Sequence, residues 1–489
     1  MFNLRSISKK YIVMLKKRGF LIVMKLNLKS IQNPENWPGY MLPKFDVPSM
    51  VERTKKEPIW LHMGAGNIFR IFPAAMQQEL LNTGLADRGI TVCECYDEEI
   101  IPTVFEPYDN LSLAVSLKAD GDMEKTVIAS IAEAVSEKER LLEVFSAPSL
   151  QMISFTITEK GYAGSIMDIV AGGLLARHKA GAFPLTLLSM DNCAQNGDVL
   201  KKAVKSAANP SIHSYIESLS FPWSMIDKIT PRPSQKISDK LKAEGYEDTE
   251  IITTSKGTWI SSFVIGEECQ YLVVEDTFPN GRPLLEKAGL IFADRDTVSK
   301  TEKMKVGTCL NPLHTALAIS GCLLNYKTIW ECMQNQHLKA FIKSIAEEGL
   351  PVVSDPKVIN PEDFLQDVLE KRLQNPFLGD TPQRIATDTS QKIPMRFGET
   401  LKLRKKAGLP EEELKAIPFF FALWLHYLKG EVEPDPRAKE LIAKSASEIL
   451  SDTSIFGIDL TKSIIGEKIQ KYLSELSENS VKSVIEKYW

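Results

Sequence analysis

PIWLHMGAGNIFRIFPAAMQQELLNTG, residues 58–84, decides the fold. A short apolar run ends in Gly64-x-Gly66, and the residues beyond it have helical spacing up to a stop at Gly84. ITVCECYDEE, residues 90–99, then reads as a second strand closing on acids. The pattern predicts a β-α-β unit that opens with a glycine loop. In Gly64-Ala65-Gly66-Asn67-Ile68 the glycines permit a tight turn and close approach of backbone to a pyrophosphate, and the helix start offers free N–H groups. The third glycine of the usual fingerprint is absent, so the loop alone reads equally well as a plain β–α turn. The acids ending the second strand favour a cofactor. Asp97, with Glu98 as the alternative, is the expected acceptor for the adenosine ribose hydroxyls, and a carboxylate there favours NAD over NADP. His62, in the first strand, reads as packing.

Further strand candidates follow: SLAVSL, TVIASIAEAV, LQMISFTIT, FPLTLLSM and QYLVVED, with helical stretches between several of them. After about residue 300 the strand signals stop and long amphipathic helical patterns take over. The expected fold is α/β: an N-terminal Rossmann-like dinucleotide-binding domain followed by a mostly α-helical C-terminal domain. The boundaries are drawn at 1–45 for an extension and lead-in, 46–300 for the nucleotide-binding domain and 301–489 for a helical substrate and catalytic domain.

The 489-residue chain is 44% hydrophobic and 25% charged, with a net charge of -4, which argues against a nucleic-acid partner. Seven scattered cysteines fit a reducing cytoplasm better than a disulfide framework. Cys93-x-Cys95, the one close pair, reads as packing, because no second pair has zinc spacing. Residues 1–23 are basic, and KKRG at 16–19 splits their apolar pieces, so a signal peptide is not expected. They read as a disordered extension or a start assigned too early. IPFFFALWLHYL, residues 417–428, falls short of the ~20 residues of a membrane span and reads as a buried helix.

The reaction is sought in EKMKVGTCLNPLHTAL, residues 302–317. A ketone taking a hydride becomes an alkoxide, which needs a proton from a side chain or the charge of a metal. No metal set is visible among six scattered histidines. The one Tyr-x-x-x-Lys match, Tyr40 to Lys44, precedes the glycine loop in a Pro-rich segment. Lys305 remains as the donor, with Asn311 and His314 as hydrogen-bonding partners. Each also has a bland reading: Lys305 as a solvated charge, Asn311 as an N-cap before Pro312, His314 as a core histidine, and Arg384 with Asp388 as an i,i+4 ion pair.

This stretch resembles the signature of the mannitol dehydrogenase family, the polyol-specific long-chain dehydrogenases that include fructuronate and tagaturonate reductases. The likeness is collinear from about residue 40 to the C-terminus, through GAGNIFR, ISFTITEKGY (153–162), LSMDNCAQNGD (188–198), FPWSMIDKITP (221–231), VVEDTFPNGRP (273–283) and RIATDTSQKIP (384–394). The resemblance implies a cytoplasmic, NAD-dependent, metal-independent oxidoreductase acting on a sugar acid or polyol, as a monomer or homodimer. It makes Lys305 the general acid/base, gives Asn192 and Asn311 the reacting oxygen, lines the substrate with His314, Asp227, Arg384 and Lys392, and puts Glu302 where the family has a proton-relay carboxylate. Lys305, desolvated among cations, is expected to have a lowered pKa. TEKGY and CLNPLHTAL are closer to the fructuronate reductases, so reduction of D-fructuronate to D-mannonate is the expected activity. Tagaturonate reductase, mannitol or arabinitol dehydrogenase, and a non-catalytic NAD-binding regulator are the alternatives. A uronate needs a cation for its carboxylate; Arg70, Lys160, Lys228 and Arg396 remain open for it.

One departure predicts a backbone feature. The family has five positions from the Lys to the Asn, whereas Lys305 to Asn311 is six. At about 100° per residue an unbroken helix turns Lys305 and His314 to opposite sides. A π-bulge or break near Gly307 and Pro312 would bring them together.

Overall fold

The computed structural model describes residues 23–489, except for the side chains of Glu159 and Lys160. The reading of residues 1–23 as an extension therefore lies almost wholly outside the described residues. The chain divides into two compact units. One runs through Lys118 and resumes from Asp122 to Val298; the other takes Ala119–Gly121 and Ser299–Trp489.

The first unit is built on β1 (Trp60–Met63), β2 (Ile90–Cys93), β5 (Ile131–Val135), β6 (Met152–Phe155) and β7 (Thr186–Ser189), in the order β5-β2-β1-β6-β7. All four pairings are parallel. Parallel strands linked by helical crossovers must be covered on both faces, and the side chains alternate accordingly. Trp60, Ile90, Val92, Met152 and Leu188 enter one core cluster. Leu61, Met63, Ile153, Phe155 and Leu187 enter the other. Chain order reverses at β1, the place where open α/β sheets bind ligands.

A second sheet joins β3 (Ser112–Leu117), β4 (Met123–Ile128) and β11 (Phe263–Glu267). A third joins β8 (Ser224–Asp227), β12 (Tyr271–Glu275) and β13 (Ile291–Ala293), and β9 (Ile252–Thr253) pairs with β10 (Trp259–Ile260). The sequence reading missed β8, β9, β10, β11 and β13, and it read TVIASIAEAV as one strand where β4 and β5 belong to different sheets. SMID is too short and polar to announce a strand, and FVIGE carries a glycine. The lead-in packs onto this unit: Met24 bridges to Tyr246, and Trp37 and Tyr40 are buried beside the Tyr246 ring.

The second unit is helical among its described elements. Its centre is the helix Ala416–Tyr427, where Phe419, Phe420, Phe421 and Trp424 are fully buried, each contributing roughly 1.5–3 kcal/mol. Among the described residues no helix is long and apolar enough to cross a membrane. Three π-turns interrupt the helices, at Lys305–Cys309, Asp367–Arg372 and Pro394–Gly398.

Candidate active site

The glycine loop follows β1. Gly64 has φ +103°, and a Cβ there would lie 2.9 Å from the carbonyl oxygen of Thr156, so both conformation and space demand glycine. A Cβ on Gly66 would meet nothing within 4 Å, so the loop faces open space there. Gly66 also caps the helix Asn67–Ile71 without any side-chain hydrogen bond, leaving the first N–H groups available. This geometry fits a dinucleotide phosphate. His62 is fully buried, stacks on Phe69, and bonds Ser154 Oγ (2.6 Å) and Thr156 Oγ1 (2.9 Å). Burial pushes its pKa down to about 3.

The acid at this loop differs from the one expected. Asp97 is 1% exposed and accepts from Thr254 Oγ1 (2.6 Å), so its carboxylate faces into the fold. Glu94, the first residue after β2, instead accepts the Ala65 N–H at 2.7 Å. Its other oxygen accepts the N–H groups of Tyr96 and Asp97. The signal in the sequence was position alone: Glu94 is the first acid beyond the strand's end.

The loop after β7 shows why its motif has its composition. The Asn196 amide bonds Ser224 in both directions, Nδ2 to the carbonyl (3.0 Å) and Oδ1 from the N–H (2.9 Å). Gly197 passes so close to the Phe221–Pro222 backbone that a Cβ would lie 2.4 Å from the Phe221 carbonyl oxygen. Asp191 accepts from the Tyr162 hydroxyl and the Cys193 N–H. These contacts fix the loop, while Asn192 stands exposed on it. Asp227 ends β8 and is 5% exposed.

In the second unit the expected break is present. The helix Arg295–Met304 runs into the π-turn Lys305–Cys309, closed by the Leu310 N–H bonding the Lys305 carbonyl at 3.1 Å. A new helix begins at Asn311 with Pro312 in its first turn, where no donor is needed. The π-turn absorbs the extra residue, and Pro312 starts the second helix rather than breaking the first. Lys305 is 7% exposed, whereas Lys303, the other lysine of the stretch and the alternative base, is exposed. Glu302 feels the charge of Lys305, and burial raises its pKa against that pull.

Asn311 is the first helical residue and not the cap; the Leu310 cap position makes no side-chain bond. The Asn311 side-chain amide has no hydrogen bond among the described residues. His314 is 16% exposed, with Nε2 3.6 Å from Asp380 Oδ2 and no hydrogen bond to that nitrogen. Burial, with Arg396, Arg384 and Arg372 nearby, outweighs Asp380 and holds its pKa at about 4, so the ring is neutral at pH 7. Arg384 pairs with Asp380, not with Asp388. Lys392 donates to the carbonyls of Ile385 (3.2 Å) and Thr387 (2.5 Å), and burial followed by Arg396 lowers its pKa. The carboxylate candidate Arg70 is 1% exposed and bonded to Ser112, Ser261 and Ser262, which makes it a structural tie.

The mannitol dehydrogenase Rossmann-domain model matches residues 58–287, and the mannitol dehydrogenase C-terminal-domain model matches residues 297–488. The chain belongs to the mannitol dehydrogenase family. Like its named relatives, this family member is an oxidoreductase. It is 44% identical to the D-mannonate oxidoreductase of Thermotoga maritima, over 93% of this chain and 96% of that protein. It is 26% identical to the mannitol 2-dehydrogenase of Cereibacter sphaeroides, over 89% and 97% of the two chains. The solved Pseudomonas fluorescens mannitol 2-dehydrogenase, a ternary complex with NAD and D-mannitol, matches with a TM-score of 0.71 at 26% identity, covering 95% of this chain and 99% of that one. A substrate-free D-sorbitol dehydrogenase shares the fold at a TM-score of 0.80 and 23% identity, covering 94% and 99%.

Proposed function

We propose that this mannitol dehydrogenase family member catalyses the NAD-dependent reduction of D-fructuronate to D-mannonate, and the reverse, without a metal, in hexuronate catabolism in the cytoplasm. The observation that carries the reading is the set of side chains at the first π-turn: a buried Lys305, the unengaged amide of Asn311 and a neutral His314. The 44% identity to a D-mannonate oxidoreductase supports the choice of substrate.

When bound, a nicotinamide dinucleotide supplies the hydride in one direction and accepts it in the other. In reduction the carbonyl π pair moves onto oxygen as the carbon gains the hydride, and the Lys305 ammonium gives that oxygen a proton. The Asn311 amide donates to the nascent alkoxide; such a donor contributes about 2.7–4 kcal/mol to transition-state stability. Neutral His314 offers a hydrogen bond to a substrate hydroxyl without adding charge. Glu302, whose burial favours the protonated carboxyl, reloads Lys305. The family motif gives Asn192, with Asn311, the reacting oxygen and assigns substrate contacts to Asp227, Arg384 and Lys392, and those roles are part of the proposal. Gly64, Ala65, Gly66, Asn67 and Ile68 would hold the pyrophosphate. Glu94, in place of Asp97, is the carboxylate we assign to the ribose, because it is the one bonded to the loop.

The test is NADH consumption with fructuronate, tagaturonate and fructose in parallel, with chelator present. Turnover of fructuronate, insensitive to chelation and reduced by ~10²–10⁴-fold in Lys305→Ala while NADH still binds, is the expected result. Turnover of tagaturonate or fructose alone would reassign the substrate. NADH binding without turnover of any of the three would overturn the substrate assignment.

A further inference from the structure

A uronate differs from a polyol in one charged group, at the end of the carbon chain remote from its ketone. Recognising that carboxylate takes a cation whose donors the fold has not already engaged. Most of the candidates fail on that criterion. Arg70 is buried, and its Nε–Nη2 edge is taken by Ser112, Ser261 and Ser262. Lys228 bonds the Glu267 carbonyl and Gln270 Oε1. Arg384 is paired with Asp380, and Lys392 donates to two carbonyls. The side chain of Lys160 is outside the described residues.

Arg396 is different. It lies on the π-turn Pro394–Gly398, which packs against the π-turn of Lys305; the atom nearest a Cβ built on Gly307 is the carbonyl oxygen of Met395. Its Nη1 donates to Thr315 Oγ1 and to the Asn311 carbonyl at 3.4 Å, one turn from His314. Nε and Nη2 make no hydrogen bond, and no carboxylate pairs with this guanidinium among the described residues. Nε–H and Nη2–H form the side-on fork that matches a carboxylate bidentately.

We propose that Arg396 is the specificity-determining residue that binds the substrate's carboxylate through its Nε–Nη2 edge, with Thr315 anchoring the opposite nitrogen. This rests on the uronate reading given above. Burial alone pushes the guanidinium down to about 10, with no acid offsetting it, so the fold holds a partly desolvated cation without a counter-charge. It remains charged at neutral pH, and a bound carboxylate supplies the missing partner. Arg396 also lowers the pKa of both His314 and Lys392, which places its charge among the residues assigned to the substrate.

The experiment compares kcat/KM for fructuronate with that for fructose, an uncharged ketose of equal chain length, in wild type, Arg396→Gln and Arg396→Lys. The expected result is a fall of ~10–100-fold in the fructuronate-to-fructose ratio for Arg396→Gln. Arg396→Lys, which keeps the charge and loses the fork, should fall less. A ratio unchanged in Arg396→Gln, with both substrates losing equally, would overturn the proposal and leave Arg396 as a brace on Thr315. If wild type reduces no uronate, the functional reading fails separately. Calorimetry with mannonate and mannitol then decides on Arg396: a preference for mannonate that Arg396→Gln loses supports it, and no preference, or a retained one, overturns it.

Discussion

In the first unit the residues assigned to chemistry stand at the carboxyl ends of short strands, parallel ones except for the β8 of Asp227. Gly64 follows β1, Glu94 follows β2, and Asn192 lies in the loop after β7. In the second unit Lys305, the assigned acid/base, and Arg396 lie on π-turns within helices. A strand end is aimed by the ladder beside it, so its direction is set by many hydrogen bonds at once. A π-turn is a local excess of one residue, held by its own wide backbone hydrogen bond and by what packs on it. The Thr400 hydroxyl donating to the Gly307 carbonyl at 3.2 Å is one such brace. The comparison teaches that the first unit's site depends on the backbone geometry at its strand ends. In the second, the count of residues is itself part of the site.

The sharpest way to break this contrast is to delete Gly307. With five positions from Lys305 to Asn311 the π-turn has no residue to absorb, and the helix is expected to regularise. If the π-turn aims Lys305 in this chain, turnover should fall by ~10²–10⁴-fold with helical circular dichroism retained. Retained turnover would mean that the surrounding packing sets the direction of Lys305 whatever the count.

Acid titration probes the first unit. His62 has a folded pKa of about 3 against an ordinary 6.5, so the unfolded chain takes up the proton first. Its contribution is complete above pH 6.5 and is lost as pH falls toward 3, at up to about 1.4 kcal/mol per pH unit. Urea midpoints measured from pH 7 to 4 should therefore decline less steeply in His62→Gln than in wild type. Equal slopes would remove His62 as a source of acid sensitivity.

Gly197→Ala tests the claim of backbone rigidity directly. The added methyl must displace the Phe221 carbonyl, at a cost of about 1–3 kcal/mol in stability, read as a lower thermal midpoint. The smallest expected effect is that of Glu94→Gln. It keeps an oxygen for the Ala65 N–H and removes the charge, so discrimination against NADPH should relax by roughly tenfold, about 1.4 kcal/mol, in cofactor titrations. The same substitution at Asp97 should lower stability rather than alter cofactor choice, because its carboxylate is bonded to Thr254.

Much of this was legible in the chain. The glycine loop could be read because its requirement is local: a positive φ at Gly64 and a crowded approach to the next parallel strand. The π-turn could be read because helical facing depends only on residue count. The buried Phe-rich helix announced itself by composition. Strands β8 and β11 were not legible, since each is specified by its partner strand and not by its own alternation. The reading of Asn311 as a possible cap also failed to resolve in one dimension; the π-turn made it a first-turn residue with its amide unengaged.

By itself, then, the sequence determined the β-α-β unit, the helical second half, the family motifs and the place where the helix must overwind, because these depend on neighbours along the chain. Only the tertiary structure decided which carboxylate meets the glycine loop and which cation keeps its Nε–Nη2 edge uncommitted. Asp97 is withdrawn by Thr254 and Arg70 by Ser112, Ser261 and Ser262. Those partners lie many residues away, and which polar groups a buried side chain meets across the fold is something no local pattern records.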